Sequence, residues 1–302
     1  MRKNVLLLGL FPLCFSLMGC AGSSSTTPKT PVDVIIMGGQ SNMVGCSTYS
    51  NLAETVGNAK FSEYQTGYKG LKIAYDCWTK NGEADYASQN SSRNKFVASL
   101  LGEGNSDLTF GPEIGMAETF FARRNGKVFF IKYACGASNL LDDWAAPSSG
   151  KRTTMYANFL AYVKAQIRVL SDSGYDPTIK VMCWMQGEGD SYPGYCEEYY
   201  NQLHYLAKDL RTELKDYEGG TEFAFVDGGI SDSTSWPKYQ IVNEAKKQFA
   251  SESDRNVYID TLAAGLDKTK LQADNAHYIG SAMLSLGKLF AEAAEPFLSP
   301  LE

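Results

Sequence analysis

The amino-acid sequence predicts an α/β fold, a three-layer sandwich in which a five-stranded parallel sheet lies between helices. Two observations support this prediction. From residue 32 onward, short apolar runs alternate with longer amphipathic stretches. Each short run is nearly all apolar, as is typical of parallel strands that are buried on both faces. The length of 302 residues suits one large domain or two small ones, and the alternation favours one.

Five runs are predicted to be strands, and each is followed by a helix. The strands are 32–39, 127–134, 179–185, 222–229 and 256–260. Apolar residues recur at close to four-residue spacing over 155–170, 195–210 and 279–290, which indicates amphipathic helices. These apolar stripes are expected to face the core, and we assign them no chemistry.

The segment from residue 46 to residue 110 does not follow this alternation. It is rich in Ser, Asn, Gly, Tyr and Lys and has few apolar runs. Long connections in compact domains are usually functional or partly disordered. We therefore predict an insertion beside the functional site, with short helices of its own.

The N-terminal segment is predicted to direct export and membrane attachment. Residues 1–19 are typical of a signal peptide, with a basic start and an apolar run too short to span a bilayer. The Leu17–Cys20 segment resembles the bacterial lipobox, which predicts a lipid on Cys20 and anchoring on the periplasmic side or the cell surface. This lipid is the only membrane contact expected. Residues 20–31 suit a flexible tether, and one domain is expected over 32–298.

The charge balance and the histidine count disfavour two classes of function. The chain has 28 Lys and Arg against 34 Asp and Glu, a net charge of −6, whereas nucleic-acid binders depend on clustered basic residues. Two histidines cannot form a multi-histidine metal site, and no metal or cofactor is expected. The cysteines left after export and lipidation allow at most two disulfides and match no zinc-binding spacing. They are Cys46, Cys77, Cys135, Cys183 and Cys196.

Chemistry is expected in the loops that follow the strands, because ligands bind at the carboxyl ends of the strands in open α/β sheets. The first strand runs into the segment GGQSNM over 38–43. This segment lacks the spacing of a dinucleotide-binding loop, of a phosphate-binding loop and of the G-x-S-x-G turn of α/β hydrolases. Ser41 is therefore either a nucleophile presented on a sharp turn or the N-cap of a helix.

Asp274 and His277 are the second candidate group. The carboxylate precedes the imidazole by three residues, just before the last predicted helix. A carboxylate at this spacing can accept a hydrogen bond from the ring N–H and stabilise the imidazolium, although a helix cap is the alternative. The other imidazole, His204, lies in the middle of a predicted helix without a partner and is expected to be a surface or boundary residue. His277 is thus the candidate base.

Two further strands end in groups that could stabilise an oxyanion. The second strand is followed by Gly136, which offers a backbone N–H, and the third by Gln186, which offers a side-chain amide. Both could equally be ordinary loop residues. Glu188 and Asp190 follow Gln186, but their spacing is too short and too generic to favour the carboxylate pair of a glycosidase.

Taken together, these segments resemble the SGNH hydrolase superfamily, and within it the sialate O-acetylesterase and carbohydrate esterase family six group. The resemblance covers residues 32–297 and implies a flavodoxin-like fold. The combination of the GQSNM and QGE motifs is specific for this group, whereas each of the other matching segments is a weak signal by itself. The matching segments are GQSNM at 39–43, GPE at 111–113, Gly136 with Ser138, WMQGEGD at 184–190 and DNAH at 274–277.

The resemblance also implies roles for individual residues. Ser41 would be the nucleophile, His277 its base and Asp274 the partner of the imidazole. The oxyanion would be stabilised by the N–H groups of Ser41 and Gly136 and by the amide of Gln186, which stands where the wider superfamily has Asn. Further residues could support these groups or contact the substrate. They are Gln40, Asn42, Ser138, Glu188, Asp190 and Trp144.

The activity implied is removal of O-acetyl groups from carbohydrates such as acetylated xylan or O-acetylated sialic acid. The aromatic content suits stacking on sugars near Trp144 and Tyr192, although much of it must lie in the core. One alternative is a glycan-binding lipoprotein without activity, which would need neither Ser41 nor His277. The other is a lipase or thioesterase of the same superfamily, which the QGE segment disfavours.

Overall fold

Nine strands are present in the part of the chain that the structure, a computed structural model, describes: residues 28–77, 95–124 and 128–301. The predicted signal peptide and Cys20 lie outside these residues. The strands are β1 (Thr30–Gly39), β2 (Ser47–Thr48), β3 (Leu71–Cys77), β4 (Val97–Ala98), β5 (Thr109–Phe110), β6 (Val128–Ala134), β7 (Tyr175–Met185), β8 (Ala224–Gly228) and β9 (Asn256–Ile259).

Eight α-helices lie in the same described ranges. They are α1 (Ser41–Val44), α2 (Leu52–Val56), α3 (Asn58–Thr66), α4 (Glu113–Arg124), α5 (Thr154–Asp172), α6 (Tyr199–Leu214), α7 (Tyr239–Ala250) and α8 (Gly280–Ala294). None of the described helices combines the length and the apolar character needed to cross a bilayer.

The central sheet has seven strands in the order β4-β3-β6-β1-β7-β8-β9 and is mostly parallel. Among the described strands of this sheet, β4 alone runs antiparallel to its neighbour. β2 with β5 forms a separate antiparallel pair. Val34, Ile35 and Ile36 in the middle of β1 are fully buried, as expected for a central strand. Because the strands are parallel, the loops after β1, β6, β7 and β8 emerge at one edge of the sheet, where a site can form.

The five predicted strands are present as β1, β6, β7, β8 and β9, but the count of five is wrong. β3 and β4, from the 46–110 segment, extend the sheet beyond β6. β3 carries Lys72 and Asp76 among its apolar residues, and β4 has only two residues. Neither therefore forms the continuous apolar run by which the other strands are recognised. The same segment also contains α2 and α3.

Helices cover both faces of the sheet. On β8, Asp227 contacts Lys246 of α7, whereas the next residue, Gly228, faces Phe290 of α8. Successive residues of a strand point to opposite faces, so α7 and α8 lie on opposite sides. α4 packs against α8, and α6 packs against both α5 and α7.

The structure refines the predicted boundaries. β1 begins at Thr30, inside the predicted tether, and Thr30 N donates to Gly174 O at 3.0 Å. The first strand therefore starts two residues earlier than expected from the apolar pattern. Cys183 and Cys196 are buried free thiols.

Candidate active site

Ser41 is the first residue of α1, directly after β1. The end of β1 lies tightly against β7: Gln40 N donates to Met185 O at 2.9 Å, and a Cβ on Gly39 would lie 2.0 Å from that oxygen. Gly39 also has a φ of +143°, so no other residue fits there. The N-cap of α1 is Gln40. The N-cap alternative for Ser41 is therefore wrong, and the partly exposed serine begins the helix.

Asp274 and His277 lie in a turn ahead of α8, with 2.7 Å between Asp274 Oδ2 and His277 Nδ1. Asp274 Oδ1 accepts the backbone N–H groups of Ala276 at 2.9 Å and His277 at 3.1 Å. Partial burial acts to raise the pKa of Asp274, but these N–H groups and the imidazole outweigh it and hold the pKa below its usual value. The ionised carboxylate thus fixes the ring. The N-cap of α8 is Ile279, so the pair does not cap that helix.

Asn42 ties the helix of Ser41 to the turn of His277. Its amide nitrogen donates to Ala276 O at 3.3 Å, and its oxygen accepts the N–H of Tyr278 at 3.4 Å. These two residues flank His277 in the chain. The Ser47 hydroxyl adds a bond to Tyr278 O at 2.7 Å. The structure therefore brings the predicted nucleophile and the predicted base to the same edge of the sheet.

Gly136 lies beside Ser41 in the loop after β6. A Cβ built on Gly136 would have Ser41 Cβ as its neighbour at 4.0 Å. Cys135 N donates to Gly39 O at 3.0 Å, which keeps this loop against the end of β1. The next residue, Ala137, has a φ of +53°, an uncommon value for a residue with a side chain. The loop beside Ser41 is thus held in a strained conformation, a feature that clusters at functional sites.

Gln186 is fully buried and connects three loops. Its Nε2 donates to Asp190 Oδ2 at 2.5 Å, to Ser138 O at 3.1 Å and to Gln40 Oε1 at 3.2 Å. Its Oε1 accepts the Tyr199 hydroxyl at 3.1 Å. An amide nitrogen carries two hydrogens, and three acceptors already surround this one. In this geometry Gln186 holds the loops together, and its role in an oxyanion hole stays a prediction.

Gln40 makes a matching connection from the other side. It is 2% exposed, and its Oε1 accepts the backbone N–H groups of Gly187 at 3.3 Å and Gly189 at 3.0 Å. Buried backbone N–H groups without acceptors cost about 1–3 kcal/mol each. Gln40 therefore fixes the turn after β7 against the start of α1.

Ser138 and Trp144 belong to the core next to the site. The Ser138 hydroxyl donates to Cys135 O at 2.7 Å and accepts the Trp144 indole N–H at 2.9 Å. Trp144 is 1% exposed and lies edge-on against Trp184, with 5.1 Å between the ring centres. The expectation that Trp144 stacks on a sugar is wrong, because its ring is covered by other aromatic residues. It supports the loop of Gly136 through Ser138 instead.

Glu188 and Asp190 are both buried in the turn after β7. Glu188 Oε1 accepts from the Asn42 amide at 2.8 Å, and burial raises the pKa of this carboxyl. Asp190 accepts the Leu140 N–H, and burial raises its pKa to about 7. Neither carboxylate is open to solvent. The structure therefore forms no glycosidase-type pair here.

A buried ion pair that was not predicted from the sequence lies near these carboxyls. Lys246 Nζ lies 2.5 Å from Asp227 Oδ1 and donates to Gly228 O at 2.9 Å. Burial raises the pKa of Asp227 to about 6, and the lysine opposes that shift. A signal was available, because Asp227 is the single charged residue of the apolar run that forms β8. A charge inside a strand that is buried on both faces requires a partner.

His204 lies on α6, away from Ser41. Its side chain is 45% exposed, and its Nδ1 is 3.0 Å from Glu252 Oε2. The expectation of a surface residue is confirmed, but the absence of a partner is wrong. Glu252 follows α7 and is distant in the chain, so the spacing on one helix could not reveal it.

The sequence profile of one protein family matches residues 31–295 of the chain. The family is described as a carbohydrate esterase, sialic acid-specific acetylesterase. A search of curated protein sequences finds no match.

Several solved structures share the fold. A protein from Arabidopsis thaliana has a TM-score of 0.64 and 17% sequence identity, covering 89% of this chain and 100% of its own. NanS has a TM-score of 0.58 and 14% identity, covering 90% of this chain and 98% of its own. A carbohydrate acetylesterase from Xanthomonas citri has a TM-score of 0.56 and 14% identity, covering 88% of this chain and 56% of its own. At these identities the likeness shows the fold alone.

Proposed function

The chain belongs to the carbohydrate esterase family of sialic acid-specific acetylesterases, and on that premise we propose that it removes O-acetyl groups from carbohydrates with Ser41 as nucleophile. It is a carboxylic ester hydrolase by family. The proposed substrates are O-acetylated sialic acid and acetylated polysaccharides such as xylan. We also propose that the fold is the flavodoxin-like three-layer sandwich of SGNH hydrolases, since helices cover both faces of a mostly parallel sheet.

The observation that carries this proposal is the Asp274–His277 pair, together with the Asn42 bonds that hold its turn against α1. Asp274 accepts a hydrogen bond from the Nδ1–H group of His277, so the neutral imidazole presents its Nε2 lone pair. In serine hydrolases, Nε2 is the nitrogen that takes the proton from the serine hydroxyl. The depressed pKa of Asp274 keeps the carboxylate negative, which stabilises the imidazolium once a proton has been taken up.

The proposed reaction proceeds in two half-reactions. His277 takes the proton from Ser41 Oγ while the oxygen attacks the acetyl carbon, and the tetrahedral oxyanion lies towards the N–H groups of Ser41 and Gly136. The bond between the acetyl carbon and the sugar oxygen then breaks, and His277 gives its proton to that oxygen, which leaves as a sugar hydroxyl. In the second half-reaction His277 takes a proton from water while the water oxygen attacks the acetyl carbon. The bond between the acetyl carbon and Ser41 Oγ then breaks, His277 returns the proton to Oγ, and acetate leaves.

Gln186 has a defined role in this proposal. It holds Ser138 O, Gln40 and Asp190 at fixed positions, and these belong to the three loops that surround Ser41. As an oxyanion donor it would have to exchange one of these acceptors for the substrate oxygen. Donors in an oxyanion hole are typically worth about 10²–10³ in rate.

The test measures acetate release from O-acetylated sialic acid and from acetylated xylan. We expect release by the wild type and a loss of at least about 10³-fold in Ser41→Ala and in His277→Ala, because both take part in the proton transfer. His204→Ala is the matched control. Its imidazole is paired with a carboxylate as well, but on the surface of α6, so turnover should be retained.

Three outcomes would contradict the proposal. Equal activity of Ser41→Ala and the wild type would exclude the assigned nucleophile. Binding of acetylated glycans without acetate release would favour the non-catalytic alternative. Hydrolysis of long-chain acyl esters or thioesters, but not of sugar acetates, would favour a lipase or thioesterase.

A further inference from the structure

Helix α1 carries Ser41 but is only four residues long. So short a helix is not stable alone, because the free-energy cost of helix nucleation exceeds the stabilisation from one or two hydrogen bonds. The position of Ser41 therefore depends on what holds the two ends of α1. Gln40 holds the N-terminal end through Met185 and the turn after β7.

Lys132 of β6 holds the C-terminal end. Its side chain is fully buried. Its Nζ donates to Val44 O at 3.0 Å, to Glu103 O at 3.0 Å and to Glu113 Oε2 at 2.8 Å. An ammonium group has three N–H donors, so every donor of Lys132 is used. One of the three acceptors is the last residue of the helix that carries Ser41.

Glu113 supplies the charge that balances Lys132. It is the first residue of α4, is fully buried, and accepts the Gly111 N–H at 2.8 Å with its other oxygen. Burial, and then the neighbouring Glu113, raise the pKa of the nearby Glu103 carboxyl well above its usual value. The buried group therefore contains one cation and one matching anion, an arrangement that removal of either partner would disrupt.

The 46–110 segment takes part in the same arrangement. Its Glu103 carbonyl accepts from Lys132, and its Asn105 N–H donates to Gly45 O at 2.8 Å. The two consecutive carbonyls at the end of α1, Val44 and Gly45, are thus both held. One is held by the lysine and the other by the segment itself.

We propose that Lys132, paired with Glu113, is a positioning residue that fixes the helix of the nucleophile against β6 and against the 46–110 segment. It acts on Ser41 through Val44. In the sequence, Lys132 is a charged residue within an apolar strand, and Glu113 is the acid of the GPE segment. These local patterns do not show that the two side chains meet, so neither residue was assigned a role from the sequence. The inference rests on the proposed role of Ser41.

The test compares kcat, KM and the melting temperature of two variants with the wild type on an acetyl ester. Lys132→Met leaves a buried carboxylate and two carbonyls unpaired, whereas Lys132→Met combined with Glu113→Gln removes both charges. We expect Lys132→Met to lower the melting temperature and to reduce kcat by about 10- to 100-fold, with KM changed far less, because the nucleophile is displaced. In the double variant we expect the melting temperature to recover and kcat to stay low, since Val44 O remains unheld.

Arg124→Met is the matched control. Arg124 ends the same helix α4, is 8% exposed, and lies 2.9 Å from Glu295 and 3.6 Å from Asp33. Asp33 is near the start of β1, at the opposite end of that strand from Ser41. Loss of this nearly buried ion pair should lower the melting temperature and leave kcat unchanged.

The proposal is wrong if Lys132→Met keeps the wild-type kcat, if kcat of the double variant recovers together with its melting temperature, or if neither variant folds. The last outcome would make the pair a determinant of the fold alone. An inactive wild type would instead contradict the proposed function. In that case the rate at which a fluorophosphonate labels Ser41 would be measured in place of kcat, and we expect Lys132→Met to lower this labelling rate by the same factor relative to the wild type. A wild type that is neither active nor labelled would contradict both.

Discussion

Single side chains around Ser41 act mainly as ties between loops. Asn42 reaches Glu188, Ala276 and Tyr278, which are 146, 234 and 236 positions away in the chain. Gln40 satisfies two backbone N–H groups of the turn after β7. Both amides are buried, so losing their bonds would leave unpaired polar groups in the interior. The residues next to the nucleophile in the chain therefore set the positions of its distant partners.

Tyr192 is an exposed aromatic residue in the loop after β7. It is 41% exposed, and its hydroxyl donates to Ser235 O at 2.8 Å, which joins the loop after β7 to the loop after β8. Ser233 in that second loop donates to Asn275 O at 2.5 Å, in the turn of His277. We therefore expect this exposed ring, whose loop is linked to the turn of His277 through the loop after β8, to offer an apolar face to a sugar ring.

Tyr192→Ala should therefore raise KM for an acetylated oligosaccharide by about 3- to 10-fold, because stacking contributes about 1 kcal/mol. KM for a small acetyl ester without a sugar should stay the same. Tyr192→Phe keeps the ring and removes only the bond to Ser235, so it should remain close to the wild type. Equal KM changes for both substrates would show that the loop, not the ring, is responsible.

Among the elements, α4 and α8 cross at close range and thereby set the position of the His277 turn. A Cβ on Gly287 of α8 would lie 2.1 Å from Pro112 O and 2.9 Å from Gly115 Cα. A Cβ on Gly115 of α4 would likewise lie 2.1 Å from Leu284 O. The two backbones thus meet with no room for side chains. α4 begins with Glu113, the partner of Lys132, and α8 follows His277 in the chain. The crossing therefore fixes the position of the His277 turn relative to Glu113.

Gly287→Ala should force the two helices apart. We expect the free energy of unfolding to fall by about 1–3 kcal/mol, the usual cost of overpacking, and kcat to fall because the His277 turn moves with α8. Chemical denaturation and steady-state kinetics measure the two effects. Lys288→Ala, the neighbouring residue on the same helix, is the control and should change neither. An unchanged stability of Gly287→Ala would mean that the crossing is not close.

In the molecule as a whole, several ionisable side chains are buried next to the site. Glu188, Asp190 and Asp227 are all buried, and Lys246 is the buried cation near them. Burial raises the pKa of each of these carboxyls, most clearly that of Asp190, to about 7. A carboxyl with a raised pKa holds its proton in the folded state after the unfolded chain has released it.

The contribution of Asp190 to the stability of the protein should therefore fall as pH rises from about 4 to about 7. In that range folded Asp190 is protonated, whereas in the unfolded chain it is ionised at its ordinary pKa of about 4. The folded state then binds more protons, so the free energy of unfolding decreases with pH, by at most about 4 kcal/mol from this residue. Above pH 7 its contribution is constant.

Urea denaturation at several pH values measures this slope. In Asp190→Asn the side chain cannot titrate, and the free energy of unfolding should decline less steeply between pH 4 and pH 7 than in the wild type. Asp227 titrates in the same direction in both proteins and cancels from the difference. Identical slopes would mean that Asp190 is ionised in the folded protein throughout this range.

Much of this arrangement could be predicted from the sequence. The five central strands are all-apolar runs, and the alternation with helices implies that they are parallel, so the residues at their carboxyl ends had to meet. This argument alone placed Ser41 and Gly136 at the same edge of the sheet, whereas the pairing of β1 with β6, which makes their loops neighbours, came from the structure. β3 and β4 were not predicted as strands, because they do not form continuous apolar runs. Strands near the edge of a sheet tolerate polar residues such as Lys72 and Asp76.

The sequence by itself determined which groups could do chemistry, since the Asp274–His277 spacing and the segments after each strand are local patterns. Only the tertiary structure decided which groups are buried, paired or exposed. It covered Trp144, left Tyr192 open, surrounded the Gln186 amide with acceptors and placed Lys132 at the end of α1. The physical reason is that burial and pairing depend on contacts between residues far apart in the chain, and no local spacing records those contacts.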